Sequence, residues 1–319
     1  MEVNHMNSQT NYKEYKQLLT SALKKQSEKI VFRKQLKNNQ IYLDSICLKN
    51  KSVSPVVYFE SYFENFKSGT SIEEIANQIL DVLHSSPTDI VENETRHLFD
   101  YEENKDRIFP AVINYSQNKD YLRRIPHRKF LDLAIIYKII FSDETHSNFA
   151  FTINNCVLNN WDVSEEELYT QAIENNKKEN EYTTLTLYEA VLNILPPDKH
   201  PEEITNLIEV NSSEIMLTVM DKSGFLGSSA LLFPEVFKKA LEDYYPDSTK
   251  LLILPSSTKE VILIPYPEDN TSILELWEMV KSVNETSVAP QEILSNENIY
   301  IYEKESNIVR IFEKSEVME

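Results

Sequence analysis

The spacing of apolar positions changes along the chain, and each change marks an element. Tyr15, Leu18, Leu19, Ala22 and Leu23 recur at helical spacing, with Lys16, Lys24 and Lys25 on the other side, so an amphipathic helix is predicted within 12–36. Ile30-Val31-Phe32 either continues that helix or opens an extended piece. Residues 41–48 alternate weakly, and 56–59 follow Pro55; both read as short strands. Ser71 with Glu74 three residues later is a capping box, and Ile72, Ile75, Ala76, Ile79, Leu80 and Leu83 form the stripe of the helix it opens. Ser85-Ser86-Pro87 ends that helix, and residues 84–98 have the character of a linker. Residues 99–124 are expected to be helical around Ile108, Val112, Ile113 and Leu122.

Residues 130–141 alternate strongly and predict a strand, which a polar turn over 142–148 joins to a second at 149–158. Ser164 and Glu167 form another capping box. A helix is predicted at 183–195, stopped by Pro196-Pro197, then a strand at 214–220 and a loop at 221–229. A helix over 234–244 starts on a proline. Two apolar runs, 251–254 and 261–264, flank the polar turn Pro255-Ser256-Ser257-Thr258-Lys259-Glu260, the clearest hairpin in the chain. A helix at 273–283 and a hairpin of 299–302 with 308–312 follow. These elements predict an α+β fold: a mainly antiparallel central sheet of 130–141, 149–158, 214–220, 251–254 and 261–264, covered by helices on one face. Residues 1–98 form an N-terminal helix and strand lobe, either separate from residues 99–319 or continuous with them.

Composition narrows the class. The 319 residues are 41% hydrophobic and 26% charged, enough for a real core. No stretch approaches the ~18 apolar residues of a membrane span. The first residues lack the basic start and apolar run of a secretory signal. Cys47 and Cys156 are too few and too far apart for a disulfide framework or a zinc site, which points to the cytoplasm. Three glycines, Gly69, Gly224 and Gly227, exclude a phosphate loop and a dinucleotide fingerprint. The six histidines show no i, i+4 pair, so neither a metal nor another cofactor is expected.

The net charge of −19 is uneven: residues 1–50 carry nine Lys and Arg against four Asp and Glu. A chain this acidic repels nucleic-acid backbones as a whole, so direct nucleic-acid binding is disfavoured unless the basic N-terminal part acts locally. A solubility surface is the simpler account of the charge, and imitation of nucleic acid the sharper one.

Two constellations are candidates for chemistry. Ser256, Ser257, Lys259 and Glu260 put hydroxyls, an ammonium and a carboxylate into one turn. A serine nucleophile needs a base and an oxyanion hole, and no Gly-x-Ser-x-Gly elbow is present; a Ser–Lys pair stays open. The competing reading is a turn whose hydroxyls bond nearby backbone. Arg123, Arg124, His127, Arg128 and Lys129 form the densest basic cluster, suited either to a phosphate or carboxylate or to internal ion pairs. Asp132, read as lying inside the following strand, is expected to pair with one of these arginines.

NYSQNK at 114–119, IPHRKFLDLAIIY at 125–137, WDVSEEELYTQAIENN at 161–176, ILPSSTKEVILIP at 253–265 and MVKSVNETSVAPQEILS at 279–295 together resemble a bacterial family, domain of unknown function 5688. The resemblance spans roughly residues 55–315 and implies an architecture without a chemistry. The family pattern places a histidine before the glutamate of the Pro-Ser-Ser turn, where this chain has Lys259. Three functions follow as expectations. The preferred one is a non-enzymatic cytoplasmic interaction or accessory protein, of bacterial or mobile-element origin, with a protein partner and no membrane. A hydrolase using the Pro-Ser-Ser turn and an acidic nucleic-acid mimic that inhibits a host or phage enzyme are the alternatives.

Overall fold

A computed structural model describes residues 2–27, 29–49, 56–85, 97–142, 148–179, 181–186, 189–190, 216–267, 270–295 and 298–317. The chain divides into two compact units, Met1–Leu98 and Phe99–Glu319. In the first, helix α1 (Glu2–Gln26) is followed by strands β1 (Ile30–Leu36), β2 (Tyr42–Leu48) and β3 (Val57–Tyr58), then helices α2 (Phe63–Lys67) and α3 (Ile72–Ser85). The predicted long helix stops at Gln26. Ile30-Val31-Phe32 opens β1 instead, because β-branched and aromatic side chains suit a pleated, half-buried surface. Strands β1 and β2 pair antiparallel from Ile30↔Leu48 to Leu36↔Tyr42. Tyr15, Leu19 and Leu23 of α1 and Ile75, Ile79 and Leu83 of α3 cover Ile46, Val57 and Phe59. Ser71 caps α3, its Oγ accepting from the Glu74 N–H at 3.2 Å. Most of the predicted linker, 86–96, lies outside the described residues.

The second unit holds two antiparallel sheets where one was expected. After α4 (Tyr101–Asn104), strand β4 (Ile108–Asn114) occupies part of the region predicted as helix. Its residues are buried on both faces, so the run IFPAVI carries no period to betray it. Pro110 is tolerated because β4 is an edge strand. Helix α5 (Lys119–Leu122) and strand β5 (His127–Phe130) follow. The predicted strand 130–141 is broken by a two-residue turn, Leu131-Asp132, between β5 and β6 (Leu133–Ser142). Leu131 takes φ 53°, a conformation that bulky residues rarely adopt, and no glycine or asparagine announces the turn. Strand β6 pairs with β4 along one edge and shares its other edge between β5 and β7 (Asn148–Thr152). The strand predicted at 149–158 ends at Thr152; the Asn154 side chain then caps helix α6 (Asn155–Trp161) by accepting from the Val157 N–H. Residues 143–147 of the predicted turn lie outside the described residues.

Helix α7 (Glu165–Glu179) opens on the predicted box: Ser164 Oγ accepts from the Glu167 N–H at 3.2 Å, and the Glu167 carboxylate accepts from the Ser164 N–H at 2.8 Å. Strand β8 (Tyr182–Thr186) replaces the start of the predicted helix at 183–195; residues 187–188 and 191–195 are outside the described residues. Strand β9 (Leu217–Asp221), helix α8 (Pro234–Tyr244), strands β10 (Lys250–Leu254) and β11 (Glu260–Pro265), helix α9 (Asn270–Thr286) and strands β12 (Ile299–Glu303) and β13 (Ile308–Phe312) complete the unit. The large sheet runs β13-β12-β10-β11-β9-β8. One face packs Leu251, Ile253, Val261 and Leu263 against Phe237, Ala240 and Leu241 of α8, together with Val112 and Leu133 of the smaller sheet. The other packs Leu252, Leu254, Ile299 and Ile301 against Ile273, Trp277 and Val280 of α9. Helices therefore cover both faces of this sheet, which is why 251–254 and 261–264 read as continuous apolar runs. The α+β class stands; the strands assigned to one sheet are divided between two.

Candidate functional site

The β10–β11 turn is held from every side. Ser257 is buried; its N–H donates to the Glu260 carbonyl at 3.1 Å and its Oγ accepts from the Lys259 N–H at 3.1 Å. The half-buried Ser256 donates its hydroxyl to Glu260 Oε1 at 3.1 Å. Lys259 Nζ pairs with Glu292 Oε1 at 2.6 Å. The Thr258 N–H donates to the Glu292 carbonyl at 2.8 Å, and the Thr258 carbonyl accepts from Ser228 Oγ at 2.9 Å. Ser228 follows Gly227, where a Cβ would come within 1.7 Å of the Lys259 carbonyl oxygen. Activation of a serine needs a base with free basicity beside the hydroxyl. Here Glu260 meets Ser256, while Ser257 accepts a backbone bond and the lysine serves a distant glutamate. This is the hydrogen-bonding of a structural turn.

The basic cluster separates into two groups, because successive strand side chains point to opposite faces. Arg128 Nη2 lies 2.9 Å from Glu165 Oε2 and 2.5 Å from Glu166 Oε2, and its guanidinium sits 4.0 Å above the Tyr169 ring. The Tyr137 hydroxyl donates to the other oxygen of Glu165. The bond to Glu165 raises the Arg128 pKa further, and burial, reinforced by Glu165, raises that of Tyr137. On the other side, His127 Nδ1 lies 3.1 Å from the Ile125 carbonyl and the Lys129 ammonium sits 5.5 Å from the Tyr115 ring centre. Arg123, at the end of α5, pairs with exposed Asp120 at 3.0 Å. Exposed Arg124 donates its N–H to the Tyr121 carbonyl and accepts on its own carbonyl from the Asn155 N–H.

Asp132 corrects its expectation. It occupies the β5–β6 turn and meets neutral donors instead of an arginine: the Asn298 amide at 2.8 Å, the Tyr300 hydroxyl at 2.9 Å and Ser295 Oγ at 3.5 Å. Tyr300 is fully buried, and that burial, with the Asp132 charge beside it, holds its hydroxyl well above the usual range. Ser295 Oγ also accepts from the Asn298 N–H, and the Ser295 carbonyl accepts from buried Asn284 of α9 at 3.0 Å. Buried Asn114, at the end of β4, donates to the Leu294 carbonyl at 3.1 Å and caps the following turn through the Gln117 N–H at 2.8 Å.

These contacts tie Glu292–Ser295 to β4, the β5–β6 turn, α9 and the Pro-Ser-Ser turn together. Sequence reasoning missed Asn114, Ser228, Asn284, Glu292, Ser295, Asn298 and Tyr300. The only local signals were polar residues closing apolar runs. Among the described residues, no group of three or more His, Cys, Asp or Glu is placed to hold a metal ion. No described helix is long and apolar enough to cross a membrane.

The chain belongs to DUF5688, a family of unknown function, whose sequence profile matches residues 10–304. The match begins within α1, well before the stretch that carries the resemblance in the sequence. No curated protein and no solved structure gives a significant match.

Proposed function

We propose that this chain is a non-enzymatic binding protein of the bacterial cytoplasm, whose acidic second unit meets a basic protein partner. The observation that carries this reading is how the second unit uses its charge. Arg128, Lys250, Lys259, Lys304 and Arg310 are each spent on carboxylates of the same unit. Exposed acidic side chains remain along the helices, among them Glu174 of α7, Asp243 of α8 and Glu275, Glu278 and Glu285 of α9. A field of one sign steers an oppositely charged partner and weakens with salt. The Pro-Ser-Ser turn adds support, since its polar groups are engaged in holding the turn.

The test is capture from a lysate of the native host, eluted with a salt gradient and read by mass spectrometry. A basic protein released by moderate salt, and not retained by a variant with Glu275, Glu278 and Glu285 changed to Gln, is the expected result. Hydrolysis of an ester, peptide or phosphate substrate that disappears in Ser256→Ala or Ser257→Ala would replace this reading with the hydrolase.

A further inference from the structure

In a chain with 51 acidic residues, one stretch of the first unit is strongly basic. Residues 24–49 hold Lys24, Lys25, Lys29, Arg33, Lys34, Lys37 and Lys49 against Glu28 and Asp44. Asp44 is already taken by Lys16 at 2.6 Å. Lys25, Lys29, Arg33, Lys34 and Lys49 are exposed and make no ion pair among the described residues. Lys24 and Lys37 lie over the Phe32 and Tyr58 rings, at 5.6 and 4.6 Å from their centres.

The topology places these charges on both faces of one edge strand. Strand β1 is an edge of its sheet; along about 26 Å of extended chain, at ~3.3 Å per residue, Arg33 projects from one face and Lys34 from the other, with Lys29 and Lys37 flanking the strand's two ends. At the hairpin tip, Tyr42 pairs with Leu36, on the face that carries Lys34, and is 61% exposed, the most exposed large hydrophobic side chain described.

We propose that the β1–β2 hairpin is a docking edge for single-stranded nucleic acid, with phosphates along the basic strand and a base stacked on Tyr42. Cations spaced along a strand edge, with an exposed aromatic ring at its end, are the combination that a flexible single strand uses. A protein interface needs a desolvated apolar centre, and this edge offers one ring among charges. The net charge of −19 opposes a duplex more than a single strand, whose charge density is lower. Lysines on an edge strand also discourage strand addition, a role that requires no ligand.

Fluorescence anisotropy of a labelled oligouridylate of about 12 nucleotides, titrated with the full chain, separates these roles. Each phosphate contact contributes about −0.7 to the slope of log affinity against log salt, so four contacts give a slope near −3. Replacing Lys29, Arg33 and Lys34 together by Ala is expected to bring the slope close to −1. Tyr42→Ala is expected to weaken binding roughly tenfold with the slope unchanged. All four side chains are exposed, and circular dichroism checks that the fold is kept. Absence of binding at low salt overturns the proposal and leaves the lysines as edge guards. An equal loss on replacing Lys238 and Lys239 of the second unit by Ala overturns it as non-specific attraction. Displacement of the oligonucleotide by polyglutamate at equal charge overturns it in favour of an acidic protein partner.

Discussion

Gly227→Ala probes how tightly the β10–β11 turn is clasped. An ideal Cβ at Gly227 stands 1.7 Å from the Lys259 carbonyl oxygen, 2.5 Å from its carbon and 3.1 Å from Glu260 Cα. All three are backbone atoms, so no flexible side chain can swing aside. Ordinary contact begins near 3.4 Å. The turn or the 227–232 segment must therefore move by about 1.5 Å, a forced expansion of the kind that costs about 1–3 kcal/mol. Such a shift also opens the Ser228 Oγ bond to the Thr258 carbonyl, 2.9 Å, and strains the Thr258 N–H bond to Glu292, 2.8 Å. Each is worth about 1 kcal/mol. The expected loss is about 3–5 kcal/mol. For a unit of this size, about 2–4 °C of midpoint follows each kcal/mol, so scanning calorimetry should show a drop near 10 °C. Gly224→Ala is the control: nothing lies within 4 Å of its Cβ, but φ is +77°, which costs an alanine about 1–2 kcal/mol. A drop below ~2 °C for Gly227→Ala, or a larger drop for Gly224→Ala, refutes the clasp.

Three further outcomes are expected. Asp132→Asn keeps the shape but removes the charge that Tyr300 and Asn298 donate to, and turns an amide donor toward other donors; denaturant unfolding should show a loss of about 1.5–3 kcal/mol, and a loss under ~0.5 contradicts the assignment. Burial raises the folded-state pKa of Tyr15, Tyr137, Tyr245 and Tyr300, so their contribution is complete below the unfolded value near 10 and is lost as pH rises above it. An alkaline titration should then show a fraction of the tyrosines ionising only as the circular dichroism signal collapses; smooth ionisation of all seventeen in folded protein is the contrary result. Arg310 grips both oxygens of Glu316, at 2.7 and 2.9 Å, and one of Glu303 at 2.9 Å, lowering the pKa of both carboxyls. Their contribution is present above the unfolded value near 4.3 and fades as pH falls through the lowered ones, so Arg310→Gln should cost about 1 kcal/mol at pH 7 and almost nothing near pH 2; a cost independent of pH refutes the pairing.

The elements legible in the sequence are those whose signals are local. The hairpins β10–β11 and β12–β13 are written as two apolar runs around a polar turn, and the helices α3 and α7 as Ser and Glu three residues apart. Burial and distance hide the rest. Strand β4 lies between layers, so no polar face marks it as a strand. The Leu131-Asp132 turn contains none of the residues that make tight turns easy, and Leu131 is held at φ 53° by packing against the core shared by both sheets. The partners of Asp132 lie 163 to 168 residues downstream. An arginine four residues away in sequence was the nearer guess, but β5 points Arg128 toward the acidic start of α7.

Four of the five segments that carry the resemblance to the family, all but 161–176, meet where chain without regular structure is enclosed by the second unit. Glu292–Ser295 follows α9 and belongs to no helix or strand, yet its backbone lies against β4, the β5–β6 turn and the β10–β11 turn. Enclosed carbonyls must find donors, because a polar group left unpaired away from water costs about as much as a lost hydrogen bond. The Thr258 N–H serves the Glu292 carbonyl, Asn114 serves Leu294, and Asn284 serves Ser295. Each donor comes from a different element, and each sits in one of the quoted blocks. Backbone satisfaction therefore accounts for these polar positions without assigning them chemistry. The contacts that serve a partner must be sought among side chains the fold does not consume. Those are the exposed carboxylates Glu174, Asp243, Glu275, Glu278 and Glu285 and the cations Lys29, Arg33 and Lys34, which make no ion pair among the described residues; alanine variants at either set should leave the thermal midpoint within ~1 °C of the parent while changing what the protein binds.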